Sequence, residues 1–120
     1  METVQQILEA QDVQNPIEDM EVGERYEIPS EPTAADMDLT IEKVRDNEIS
    51  VAHYYTQRGD LMRDPEIVYR IEDGNWIPVE YTQDPGIYQR DETGLETEFP
   101  QIWDRNLRRQ GFLKAAEDLG

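Results

Sequence analysis

Apolar and polar positions alternate through the middle of this chain, whereas at both ends the apolar positions recur at helical spacing. Met37, Leu39 and Ile41 alternate with Asp38, Thr40 and Glu42, the pattern of a sheet with one wet face. Arg45-Asp46-Asn47-Glu48 supplies a turn. Glu48 to Thr56 then places Ile49, Val51, His53 and Tyr55 on one side and Ser50, Ala52, Tyr54 and Thr56 on the other, so these two strands are expected to pair as a hairpin. Gln57 to Pro65 reads as a connection. Glu66 to Ile71 and Trp76 to Thr82 flank Glu72-Asp73-Gly74-Asn75, a strong hairpin signal. Gln83-Asp84-Pro85-Gly86 has the proline and glycine of a type II turn, and Ile87 to Arg90 makes a last short strand.

The ends follow a different period. From Thr3 to about Gln11, Val4, Ile7 and Leu8 share one helical face, and Thr3 with Gln6 has capping-box spacing. A helix this short persists only if it docks on an apolar surface. Asp12 to Pro32 is acidic and punctuated by Pro16, Gly23, Pro29 and Pro32, which predicts an irregular wrap containing an edge strand at Arg25 to Ile28. Near the other end, Pro100 suits a first helical turn, Ile102, Trp103 and Leu107 lie on one face, and Gly111-Phe112 reads as a Schellman stop. The expected architecture is α+β: an antiparallel β-meander of about five strands, with a C-terminal helix packed on one face and a short N-terminal helix beside it. Residues 1–112 are expected to form this one domain, and 113–120 a weakly helical or frayed tail.

Charge adds what the pattern alone does not. The 120 residues carry 28 acidic and 11 basic side chains, a formal net charge of −17, with hydrophobic residues at 37 %; a single modest core is the expectation. Only Lys43 and Lys114 are lysines; the other cations are arginines. Exposed like charges repel over roughly 10 Å at about 0.1 M salt but only about 3 Å at 1 M, so a surface of this kind is suited to a salt-rich cytosol. So acidic a chain is not expected to bind nucleic acid directly, since that rests on neutralising phosphates. No apolar run is long enough for a membrane span, and there is no secretory leader pattern. The absence of cysteine excludes disulfides and thiol chemistry and agrees with a cytoplasmic location. The acid is uneven: residues 101–120 hold three acids and four cations, with Arg105, Arg108 and Arg109 as a basic cluster.

Candidate chemistry is sparse. His53 lies upstream of Asp60, Asp64 and Glu66, an arrangement that offers ligands to a hard divalent cation, but its strand parity assigns it to the core face. The stretch Gly59 to Glu66 reads as a loop shaped by Asp60 or Asp64, with Arg63 pairing to one of them. Tyr54, Tyr69, Tyr81, Tyr88 and Trp76 make either a stacking surface or cross-strand pairs beneath the C-terminal helix, joined there by Trp103. The residues assigned to a binding surface are His53, Tyr55, Asp60, Arg63, Asp64 and Trp76. No catalytic residue, metal ligand or cofactor is assigned.

The runs Glu48-Ile49-Ser50-Val51-Ala52-His53-Tyr54-Tyr55, Gly59-Asp60-Leu61-Met62-Arg63-Asp64-Pro65-Glu66, Trp76-Ile77-Pro78-Val79 and Gln110-Gly111-Phe112 resemble a family of small uncharacterised proteins associated with plasmids, integrative elements and prophages of bacteria and haloarchaea. The likeness extends over about residues 20–112 and implies an accessory protein of mobile DNA, with no activity attached. The expected function is thus a non-enzymatic interaction protein, a monomer or weak homodimer, whose partner is another protein reached through the open sheet face or the 57–66 stretch. Two alternatives stand beside it: an acidic nucleic-acid mimic that blocks a nuclease or DNA-binding protein, and a metal-assisted enzyme around His53, Asp60 and Asp64.

Overall fold

A computed structural model describes residues 2–29, 37–84 and 86–119. Pro32 and the Pro85 of the expected type II turn lie outside the described residues. The elements run α1 (Glu2–Ala10), α2 (Pro16–Asp19), β1 (Arg25–Ile28), β2 (Leu39–Arg45), β3 (Glu48–Gln57), β4 (Asp60–Glu72), β5 (Asn75–Gln83), β6 (Ile87–Arg90), α3 (Phe99–Gln110) and α4 (Phe112–Leu119). The fold is α+β, a six-stranded antiparallel meander in the order β1-β2-β3-β4-β5-β6 with helices on one side. The sixth strand is Arg25–Ile28, which pairs with β2 in the register Ile28↔Leu39.

One layer of apolar side chains joins sheet to helices. Ile28, Leu39, Ile41, Ile49, Val51, Ile67 and Tyr69 project from the strands to meet Val4, Ile7 and Leu8 of α1, Trp103 and Leu107 of α3 and Phe112 of α4. Burying side chains of this size contributes roughly 1.5–3 kcal/mol each, which is what keeps the nine-residue α1 helical. Gly111 ends α3 at φ 101°, its N–H bonded to the carbonyls of Leu107 and Arg108, so the expected stop forms as the spacing predicts. The segment read as a weak or frayed tail is α4, whose Ala115 and Ala116 are buried and whose Ala116 carbonyl accepts from Gln11 Nε2.

The expected connection at Gln57 to Pro65 is instead a tight hairpin. β3 runs to Gln57 and β4 starts at Asp60, leaving Arg58 and Gly59 as the whole turn. Both have positive φ, 54° and 85°, the type I′ geometry whose twist matches its flanking strands, and Asp73-Gly74 repeats it between β4 and β5. Pro65 hid the strand, because proline within an apolar run normally breaks it. It sits where Ala52 pairs with Glu66 but Tyr54 with Arg63, so His53 faces two residues, Asp64 and Pro65, across a bulge.

Candidate functional site

The expected capping box at α1 does not form. Thr3 lies inside the helix, and the N–H groups of Thr3 and Val4 donate to the buried carboxylate of Asp104 on α3, at 3.1 and 3.2 Å. Arg108 of the basic cluster donates to Thr3 Oγ1 and to Gln6 Oε1, so it pins α1 to α3. Arg105 and Arg109 are exposed; among the described residues every ion pair uses an arginine of the sheet.

Strand parity divides the singled-out aromatic residues between the faces. Tyr69, Trp76 and Tyr81 lie under the helices, Tyr69 against Trp76 at 5.6 Å and Tyr81 edge-on to Phe99 at 5.4 Å, while Phe99 stacks parallel to Trp103. His53 is on this side too, 5 % exposed, packed at 5.5 Å from Trp103 and 5.4 Å from Phe112. Its Nδ1–H donates to the Asp38 carbonyl at 2.9 Å, which leaves Nε2 as the unprotonated nitrogen of the neutral ring.

Burial pushes the His53 imidazole below its ordinary 6.5, outweighing the opposing hydrogen bond to Asp38. A depressed folded value means that the unfolded chain takes up a proton first, so stability is fully present above pH 6.5 and declines as pH falls below it. Unfolding midpoints in molar potassium chloride will therefore drop between about pH 7.5 and about pH 5. A His53→Gln chain, which keeps a donor for the Asp38 carbonyl, will lose that part of the slope; identical slopes in both chains would refute the assignment.

The other side of the sheet carries no helix among the described residues, yet much of it is not solvent-exposed. Ser50, Ala52, Val68 and Thr82 are each at most 2 % exposed, without belonging to the helix-side core. Arg90 on β6 reaches Glu48 on β3 at 3.1 Å and Glu80 on β5 at 2.9 Å. β3 and β6 stand three strand spacings apart, about 14 Å when flat, so this contact closes because the sheet twists and curls toward its open side. The result is a trough floored by small side chains and rimmed by arginine–carboxylate pairs. Over the floor lies Tyr54, whose phenol is pushed up to about 12 by burial, with Glu66 and Glu42 adding to it.

The six assigned binding residues do not form one site. Tyr55, Arg63 and Asp64 converge at one end of the sheet, on two residues that sequence reasoning did not single out as functional, Gln83 and Asp84. Arg63 N–H and Nε both donate to Asp84 Oδ2, at 2.8 and 3.0 Å, the Arg63 carbonyl accepts from Asp84 N–H, and Tyr55 donates to the Asp84 carbonyl at 3.3 Å. Gln83 Nε2 donates to Asp64, and Tyr81 donates to Gln83. The Arg63 guanidinium holds the Asp84 carboxyl below the ordinary carboxylate range. Glu66 joins through a second contact of Arg63, at 3.6 Å, and accepts from Ser50 Oγ at 2.6 Å. Ser50 pairs with Val68 and Glu66 with Ala52, so only the β3–β4 register makes them diagonal neighbours; Asp84 carried no signal of its own, because it lies within a turn whose proline and glycine dominate that stretch of sequence.

Asp60 and Trp76 stand apart from that node. Asp60 is exposed beside the β3–β4 turn, and Trp76 is at the opposite end of β4–β5, opposite Ile71. His53 and Asp64 are neighbours across the bulge, with His53 facing the helices. Among the described residues, no three histidine, aspartate or glutamate side chains are grouped so as to hold a metal ion.

Beside the hairpin, the open face forms a shallow basin of about 710 Å³ with Arg25, Glu27, Thr40, Glu42, Tyr54 and Leu61 among its lining residues. Leu61 is 67 % exposed, the most exposed of the large apolar residues described. The model of the family described as Domain of unknown function (DUF6908) matches residues 2–113 of this sequence. The chain belongs to that family. No curated protein and no solved structure matches it. The family match covers all six strands, α1, α2 and α3, so the trough, the Arg63–Asp84 node and the basin all lie inside the family's shared domain. No helix among the described residues is long and apolar enough to cross a membrane.

Proposed function

We propose that this member of the family is a non-enzymatic accessory protein of a salt-rich cytoplasm, carried on mobile DNA, and that it works by binding another protein through the open face of its sheet. The observation that carries this reading is the basin beside the β3–β4 hairpin. An exposed leucine at the tip, Tyr54 and Tyr55 behind it and the carboxylates of Glu27 and Glu42 alongside combine an apolar anchor with a charged rim, the anatomy of a protein contact. The partner chemistry that fits is a segment presenting one apolar side chain flanked by basic ones. The Arg63–Asp84 lock keeps the base of the hairpin in place, so the tip is offered without an ordering cost at the moment of binding.

The placement of the remaining acid supports solvation in brine over mimicry of nucleic acid. Exposed carboxylates occur on α1 (Glu2, Glu9), α2 (Glu18, Asp19), β1 (Glu27), the tight turns (Asp46, Asp73) and α4 (Glu117, Asp118). A mimic needs them in rows on one face. A photo-crosslinking residue at position 61, introduced into the full chain in its host cell, is expected to capture one protein with a basic surface. The same probe at Asn106, on the exposed side of α3, is expected not to capture it. Equal capture from both positions, or none from position 61, would overturn the reading.

A further inference from the structure

A second concavity lies on the helix side, away from the basin, between β4, β5, β6 and the 91–98 segment that leads into α3. Its volume is about 250 Å³. Ile67 and Pro100, both buried, form its depth, and Tyr81 and Phe99, edge-to-face at 5.4 Å, form its walls. Leu95 is half-buried over it. At the mouth stand two polar residues, Gln89 and Thr97, both exposed. None of these seven residues is charged, in a chain where charged residues make up 32 %.

Size and lining together define what fits. An apolar cavity of about 150 Å³ takes up a benzene ring, and pockets for drug-sized molecules begin near 300 Å³, so this space suits one ring or a small fused pair. An ionised ligand would lose its hydration with no counter-charge to meet, which excludes charged molecules. Aromatic walls favour a ring that can sit offset or edge-on to Tyr81 and Phe99. Of the polar groups, Thr97 Oγ1 already accepts from Phe99 N–H and the Tyr81 hydroxyl already donates to Gln83. The Gln89 carboxamide has no hydrogen-bond partner among the described residues, so it is the group left to orient a ligand's hydroxyl or N–H.

We infer that this cavity is a binding site for a small neutral aromatic molecule carrying one polar group, of the phenol or indole class. Phenol is the probe, titrated into the full chain in molar potassium chloride. It is expected to raise the melting temperature saturably and to move the NMR signals of Leu95, Phe99 and Tyr81, while benzoate, similar in size but charged, does neither. Leu95→Trp, a change at a half-buried position that fills the space, will weaken phenol binding by about tenfold or more. Gln89→Leu, on an exposed strand position, will weaken phenol and leave toluene binding unchanged, which separates loss of the orienting group from loss of the fold. Absence of saturable phenol binding, equal binding of benzoate, or undiminished binding by Leu95→Trp would each overturn the site.

Discussion

Raising potassium chloride from about 0.1 M to about 1 M will move the urea unfolding midpoint of this protein steeply upward. The chain carries a formal charge of −17 within a globule whose radius of gyration is 13.6 Å. Shortening the screening length from about 10 Å to about 3 Å lowers the self-repulsion of that charge by on the order of 5 kcal/mol, comparable with the whole stability of a small domain. The sheet's ion pairs oppose the trend only weakly. Their partners at Glu72 and Glu92 are more than half exposed, and such pairs are worth at most about 1 kcal/mol and weaken with salt themselves. The less exposed contacts of Arg90 with Glu48 and Glu80 are screened less and persist. A flat or falling curve would remove the brine explanation for the acid and turn attention to recognition of a cationic target.

Asp104→Ala will cost about 2–4 kcal/mol, because two backbone N–H groups at the start of α1 lose a charged acceptor and are left buried without one. Asp104 is 7 % exposed, and its two oxygens each take one of these donors, from Thr3 and Val4. The carboxylate also sits at the positive end of the α1 dipole, which adds to its hold. Asp104→Asn, which keeps one acceptor oxygen, will lose roughly half as much. Hydrogen exchange distinguishes the mechanism from general destabilisation: the amides of α1 will lose protection first, while those of β3 and β4 keep theirs until global unfolding. Uniform loss of protection, or a midpoint unchanged by the substitution, would show that α1 is held by its apolar face alone.

Most strands were legible because their alternation is local. Ile49, Val51 and His53 share a face whatever the partner strand, and the reading of His53 as a core-side histidine needed nothing more than that parity. The Gly111 stop and the Asp73-Gly74 turn were legible for the same reason, since each depends on one residue's tolerance of positive φ. The strand at Asp60 to Pro65 was missed because two rules collided there: a proline argued for a break, while a bulge opposite His53 absorbed it. Asp84 escaped notice in a turn crowded with stronger signals, and only the pairing of β4 with β5 brings it to Arg63. The capping of α1 was misplaced onto Thr3 for a related reason. A capping box is a local pattern, whereas the acceptor used, Asp104, lies 100 residues from Val4 along the chain.

By itself the sequence determined the α+β class, the faces of the strands whose alternation it showed, the turns at Asp46-Asn47 and Asp73-Gly74 and a surface governed by negative charge, all of which follow from periods of two or 3.6 residues, from turn chemistry and from composition. Tertiary structure alone decided how far the sheet curls, that Arg90 meets Glu48 across two intervening strands, that Arg63 locks to Asp84, and that a cavity without charged groups opens beneath Leu95. Those depend on register shifts and on contacts between residues far apart in the chain. No local pattern encodes them, because their geometry exists only once the strands have paired and the helices have docked.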